Sequence, residues 1–335
     1  MTKREISIGF QTDKSPAQYV ALAQLVDRYD FDAVSVYSDL PFHPGFSALT
    51  LMAPHIKRAR IGVAGVSPAR ISPIDIAAET ALLAQLANAG IYLGLVRGGW
   101  LETHGIMPPA QPIQAIRETI DIVRHILSGN TGGYHGSVYH IGEYVRAQYP
   151  LPKDPIPILI GTWGKKLAAL AGELADEVKI GGTANPDIIP VIRGYIAEGE
   201  HKAGRNDGTV GIVVGAVTVV DEDREQARQL VRREVAMYLP LVVKFDSTVE
   251  VEPELITRLE SLADQGEYDV AGRLISDDLL QRFAFAGTPY DLIEHAERLF
   301  DAGASRIEFG TPHGIKSEHG IVLLGEKVIP HFKDR

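Results

Sequence analysis

Short runs of β-branched and aliphatic residues alternate along the chain with longer stretches whose apolar positions recur every three or four residues. That is the rhythm of strand–helix units around a parallel sheet. Eight runs read as strands: Ile6 to Thr12, Ala33 to Tyr37, Ile61 to Val66, Ile91 to Val96, Ile156 to Ile160, Glu177 to Ile180, Val210 to Val220 and Arg306 to Phe309. Each is a nearly unbroken apolar run, as expected of a strand covered on both faces.

The helices between them carry readable start signals. Ser15-Pro16-Ala17-Gln18 offers a capping serine, a proline at the first helical position and a glutamine able to reach back. Ser72-Pro73-Ile74-Asp75 and Thr288-Pro289-Tyr290-Asp291 repeat the pattern with an aspartate whose charge suits the helix N-terminus, and Asn185-Pro186 is a weaker fourth case. Two stretches break the rhythm. The Gly- and aromatic-rich segment at about 129–149 reads as a loop or small hairpin, and a mostly helical insertion is expected at about 237–285. No linker-like tract divides the chain. The best fit is a single α/β domain over residues 1–335, a (β/α)8 TIM barrel with two insertions, with an open doubly wound sheet as the competitor.

Composition narrows the chemistry. Lys+Arg 33 against Asp+Glu 43 gives a formal net charge of -10, and no local basic patch offsets it, which argues against a nucleic-acid or anionic-lipid partner. With no cysteine, disulfides, Cys-based zinc sites, iron–sulfur clusters and thiol catalysis are excluded. His135 and His140 lack metal-ligand spacing, and no metal is expected. The start, Met1 to Arg4, is short and charged and runs directly into a strand, and the apolar stretch 76–94 is interrupted by Glu79, Gln85 and Asn88. A cytoplasmic protein with no membrane span is expected.

In a barrel the working residues lie at the carboxyl ends of strands and in the loops after them. Asp39 follows the second strand and precedes Leu40-Pro41-Phe42-His43, where its carboxylate could hydrogen-bond a cofactor ring or relay a proton, or serve only as a turn residue; His43 is a second candidate acid. The segment Ile160-Gly161-Thr162-Trp163-Gly164-Lys165-Lys166 sets a glycine-bracketed turn between a strand and an amphipathic helix, an anion site suited to a phosphate. Gly181-Gly182-Thr183 and Gly310-Thr311-Pro312 are less specific versions. Arg97, with Gly98 and Gly99, could pair with a phosphate or carboxylate while the glycines admit a ligand close to the backbone. No G-x-S-x-G elbow is present. These residues indicate a cofactor or a phosphorylated substrate.

The chain resembles the luciferase-like flavin- and deazaflavin-dependent oxidoreductases, and within them the coenzyme F420-dependent methylenetetrahydromethanopterin reductases. The resemblance runs from Ile6-Ser7-Ile8-Gly9-Phe10 to Leu323-Leu324-Gly325-Glu326-Lys327-Val328-Ile329. Its more specific pieces are the Gly161–Lys166 turn with Leu170-Ala171-Gly172-Glu173-Leu174-Ala175-Asp176, and Gly287-Thr288-Pro289-Tyr290-Asp291 with Asp301-Ala302-Gly303-Ala304. It implies a non-prolyl cis peptide in the third strand, expected at Gly65-Val66, that backs the deazaflavin ring. It further implies cofactor contacts from Asp39, Gly65, Val66, Gly161, Thr162, Trp163, Gly164 and Lys165, to which the strand-end reading adds Arg97 and Gly98. The reaction implied is hydride transfer between coenzyme F420 and an electrophilic carbon, in the reductases a methylene-pterin carbon that becomes methyl, and homodimers or larger homo-oligomers are implied as well.

Three positions depart from that pattern. Family reductases follow the equivalent of Asp39 with histidine, where Leu40 stands; they carry an acid near Gln11, an amide here; and some carry an acid at Gly99. An amide donates no titratable proton. Asp39, Gln11 and Glu102 are therefore the expected catalytic set, with Glu102 or His43 standing in for the missing acid. An FMN-dependent monooxygenase on the same fold and a non-catalytic cofactor-binding barrel are the alternatives.

Overall fold

The computed structural model describes residues 4–333; Met1 to Lys3, part of the charged start, lie outside the described residues. Among the described residues eleven strands are formed: β1 (Glu5–Phe10), β2 (Ala33–Val36), β3 (Arg60–Val66), β4 (Ile91–Val96), β5 (Tyr134–His135), β6 (His140–Ile141), β7 (Ile158–Gly161), β8 (Glu177–Gly181), β9 (Gly211–Val220), β10 (Ala284–Gly287) and β11 (Arg306–His313). The parallel order β9-β11-β1-β2-β3-β4-β7-β8 closes through β8 pairing with β9, so the sheet is a barrel and not an open doubly wound sheet. Closure removes the two edges an open sheet would have, save along the far half of β9. The eight barrel strands correspond to the eight apolar runs.

Helices wrap the outside because the strands' outward residues are apolar. Ile6, Ile8 and Phe10 are buried in one cluster with Ile76, Ile116, Ile120 and Ile196 from surrounding helices. The capping signals at Ser15 and Thr288 form full capping boxes, and Ser72 accepts from the amide of Asp75. Asn185 does not cap. Its side chain is buried and turned to Asp246 and Thr248, and the next helix starts at Ile188.

Between β4 and β7 the Gly-rich segment forms the antiparallel hairpin β5–β6. It is pinned by Glu118, which accepts from the backbone amides of Ser137, Val138 and Tyr139. The segment after the helix Arg224–Ala236 is helical until Phe283, but the chain then forms β10, a strand absent from the sequence reading. β8 ends opposite Gly215, which leaves the far half of β9 with a free edge; β10 covers it, pairing Ala284–Gly287 with Val217–Val220. A free edge is a liability that chains tend to cover, and a four-residue run of small residues and one Phe gives little periodicity by which to foresee it.

The barrel interior is polar, which the apolar reading of the strands did not anticipate. Arg306 binds Glu177 through Nε at 3.2 Å and Nη2 at 2.6 Å, and Arg60 bridges Glu177 and Glu5 at 3.1 and 2.5 Å. Above this layer lie Ser35, Tyr92, Lys179 and Glu308, all buried. Gly62 makes room for one of them, since a Cβ there would lie 2.5 Å from the Tyr92 ring.

Candidate active site

The mouth is built where β1 and β2 end. Gln11 follows β1, and its backbone amide donates to Thr311 Oγ1 at 3.0 Å. Its side-chain amide donates to Asp39 Oδ2 at 3.2 Å, while its Oε1 accepts from the Thr12 amide at 2.9 Å. Asp39 is exposed and starts the turn into the cis Leu40–Pro41 bond. His43 joins this corner: its backbone amide donates to the Thr12 carbonyl at 3.0 Å and its Nδ1 lies 3.4 Å from the Tyr19 hydroxyl.

The third strand carries the expected backbone irregularity one bond earlier than expected. The non-prolyl cis peptide is Ala64–Gly65, not Gly65–Val66, and the register with β4 shifts between Val63 and Val66. Gly65 sits against the neighbouring strand so closely that a Cβ would lie 2.7 Å from the Gly94 carbonyl oxygen. Only glycine fits that approach. Beyond the bulge, Ser67 Oγ donates to the Arg97 carbonyl at 2.6 Å, fixing the start of the next loop. Gly98 there has φ +96°, in the region that favours glycine. Arg97 is exposed and its guanidinium forms no ion pair among the described residues, so it is free to meet an anion.

The turn after β7 offers a second kind of site. The helix Lys165–Leu174 has no side-chain cap and no acid in its first turn, leaving its leading N–H groups open to an anion. Thr162 Oγ1 accepts from the Gly164 amide at 2.9 Å, and Trp163 is anchored by its indole N–H to the Gly181 carbonyl at 3.0 Å. A Cβ on Gly161 would lie 2.7 Å from Val96 Cγ1. Lys165 does not turn toward the loop: its ammonium pairs with Glu198 at 2.6 Å. What the turn presents is backbone N–H, not that lysine.

The two similar turns are already used internally. The amides of Gly182 and Thr183 both donate to the Gly215 carbonyl, and Thr311 Oγ1 serves Gln11 and Gly9. Glu102 lies exposed on a short 3-10 turn and makes no side-chain contact with the Gln11–Asp39 pair.

The sequence reading missed the groups beneath the mouth. Tyr37 donates to Glu308 Oε1 at 3.1 Å, and Glu308 also binds Ser35 and Lys179. Burial raises the Tyr37 phenol well above its ordinary value, reinforced by the Glu308 charge, so it stays protonated. Burial opposes ionisation of Glu308, yet Lys179 and Arg306 hold its carboxyl below the ordinary value. A signal was available: Glu177 and Lys179 on one strand, and Arg306 and Glu308 on another, alternate with apolar residues at period two and so share one face of each strand.

A family profile described as luciferase-like monooxygenase matches residues 2–306. The chain belongs to this family. Among luciferase-like relatives, a 5,10-methylenetetrahydromethanopterin reductase of Archaeoglobus fulgidus is 27% identical over 98% of this chain and 100% of its own length. An F420-dependent glucose-6-phosphate dehydrogenase of Nakamurella multipartita is 25% identical, covering 99% of this chain and 98% of the relative. The solved coenzyme F420-dependent tetrahydromethanopterin reductase of Methanopyrus kandleri superposes with a TM-score of 0.89 at 22% identity, over 99% of this chain and 100% of that one. The luciferase-like fold is thereby shared along the whole barrel.

Proposed function

We propose that this luciferase-like protein is a coenzyme F420-dependent oxidoreductase that transfers a hydride between the deazaflavin and an electrophilic carbon of a small molecule. The observation that carries the reading is the pairing of an open helix N-terminus at Gly164–Lys165 with a polar mouth at Gln11–Asp39 on one barrel. Full-length likeness to a coenzyme F420-dependent reductase and to an F420-dependent dehydrogenase supports it. The residues present fit such a cofactor. Thr162 to Lys165 would hold its phosphate through backbone N–H, and Gly65, Val66, Arg97, Gly98 and Asp39 would surround its ring system.

When bound, the cofactor supplies the hydride; the protein supplies position and charge. Asp39, oriented by the Gln11 amide, is the carboxylate that holds or moves a proton at the mouth. Gln11 accepts and donates hydrogen bonds but cannot protonate a leaving nitrogen. A methylene-tetrahydropterin is the substrate the reading favours, supported by three reductase relatives. Cytoplasmic residence and assembly with copies of itself belong to the same reading; among the described residues no helix is long and apolar enough to cross a membrane.

Equilibrium binding of purified protein to coenzyme F420 and to FMN, side by side, tests the proposal. F420 is expected to bind more tightly, and reduced F420 to be oxidised on adding methylene-tetrahydromethanopterin. Preference for FMN moves the assignment to a monooxygenase, and binding of neither overturns it.

A further inference from the structure

Tyr37 and Asp39 both lie in the segment just past the end of β2, close enough that the Asp39 charge acts on the Tyr37 phenol. Everything below Tyr37 is sealed: Glu308 and Ser35 are 0% exposed, Tyr92 1% and Lys179 7%. Tyr37 itself stays partly accessible, and with the lower side closed that access is from the mouth.

The barrel is carved to admit this group. A Cβ on Gly9 would lie 2.2 Å from the Tyr37 hydroxyl and one on Gly310 2.9 Å from it. A Cβ on Gly215 would come within 3.3 Å of both Glu308 and Lys179. Three strands thus give up a side chain around this cluster, where a phenol, a carboxylate and an ammonium meet. Lys179 pairs with Glu308 and also sits 4.6 Å from the centroid of the Tyr37 ring, a cation–π arrangement.

We propose that Tyr37, Glu308 and Lys179 are positioning residues for the hydride-transfer site: the ion pair locks Tyr37 as a rigid, uncharged floor to the mouth and so sets the surroundings in which the Gln11–Asp39 corner works. This deepens the F420-dependent reading and rests on it. The groups facing Glu308 are Lys179 from β8, Tyr37 and Ser35 from β2, Tyr92 from β4 through a 2.5 Å contact with Ser35, and Arg306 below it on β11. With Lys179 charged, Glu308 ionised and Tyr37 protonated, the floor carries no net charge. Proton traffic at the mouth is left to the Gln11–Asp39 corner. A buried ion pair can be replaced whole at little cost, but removing one partner strands the other charge. The floor is therefore silent only while both partners are present.

The test is a pH series of coenzyme F420 binding to cofactor-free protein, followed by fluorescence, with steady-state turnover alongside. In Lys179→Met, Glu308 loses its ion-pair partner and keeps only the Arg306 charge, so burial pushes its carboxyl up from where the pair held it. The variant's F420 affinity is expected to change by about a further tenfold across the pH interval in which Glu308 gains its proton, one pKa unit of differential interaction being a factor of ten. In Lys179→Met/Glu308→Gln the extra ionisation disappears and the wild-type pH profile returns. Tyr37→Phe, which removes one hydroxyl and threatens folding least, is expected to lower kcat about tenfold at unchanged pH midpoint, with F420 affinity within about threefold of wild type. Wild type that binds F420 while Lys179→Met or Tyr37→Phe matches it in pH profile, affinity and kcat overturns this proposal alone. Wild type that binds no F420 overturns the reading beneath it as well.

Discussion

The side-chain amide of Gln11 donates to Oδ2 of Asp39 at 3.2 Å across the ends of β1 and β2. An amide in that place orients the carboxylate without competing for its proton. Gln11→Glu would set two carboxylates side by side, and such a pair shares one proton because both cannot readily ionise. Turnover of Gln11→Glu is expected to gain an acid-favoured limb between about pH 5 and 7 that wild type lacks. Asp39→Ala is expected to lower kcat about a hundredfold. Measuring kcat across pH with F420 and a methylene-pterin checks both, and a profile for Gln11→Glu that overlays wild type contradicts the first.

At the turn after β7, backbone geometry is expected to matter more than the lysine. Gly161→Ala drives a methyl into Val96, 2.7 Å away, at an overpacking cost of about 1–3 kcal/mol, and is expected to weaken F420 binding about tenfold. Lys165→Ala should change affinity less than about threefold, because its exposed ammonium is held by Glu198. Fluorescence titration of both variants decides it; the reverse order of effects refutes the backbone account.

Acid stability has two separable parts. His295 donates Nε2–H to the Ala184 carbonyl and His313 donates to the Gly9 carbonyl, and burial pushes both imidazoles down to about 4. Both stay neutral in the folded protein where the unfolded chain has begun to protonate. Their contribution is complete above about pH 6.5, the unfolded value, and is lost as pH falls through 4. Urea unfolding is expected to weaken over that interval, with a smaller slope in His295→Gln.

Glu118 governs a lower interval. Burial opposes its charge, but hydrogen bonds from Gln114, Tyr139, Val138 and Ser137 bring its carboxyl down to about 2 from an ordinary 4.5. Its stabilisation, roughly 3 kcal/mol, is fully present above pH 4.5 and fades as pH falls through 2. In Glu118→Gln that dependence should vanish and protection of the Ser137–Tyr139 amides from hydrogen exchange should drop. Unchanged exchange would mean the hairpin is held by something other than this carboxylate.

The sequence made the barrel legible because outward strand faces and helix stripes are both apolar, and eight such alternations admit few topologies. It also pointed to Asp39, Gln11 and the Gly161–Lys165 turn as candidates, since loops after barrel strands are where function collects, and these positions follow β2, β1 and β7. What it hid depends on side-chain direction. Lys165 is adjacent to the turn in sequence yet points to a neighbouring helix, and Glu102 stays out on its own turn. The cis bond lies at Ala64–Gly65, where Gly65 approaches the Gly94 backbone, a long-range contact that no local residue preference encodes. The buried charges on β8 and β11 could have been found by reading parity within each strand instead of average hydrophobicity.

β9 is paired by β11 along most of its length, while its other side is covered first by β8 and then by β10. The chain that leaves the barrel after Val220 is thus returned to the same strand at Ala284, so the helices between them form a cassette closed by its own stem. Exchanging residues 237–283 between relatives should then retune which molecules reach the mouth while the barrel keeps its register, making this segment the natural unit for redesigning substrate choice.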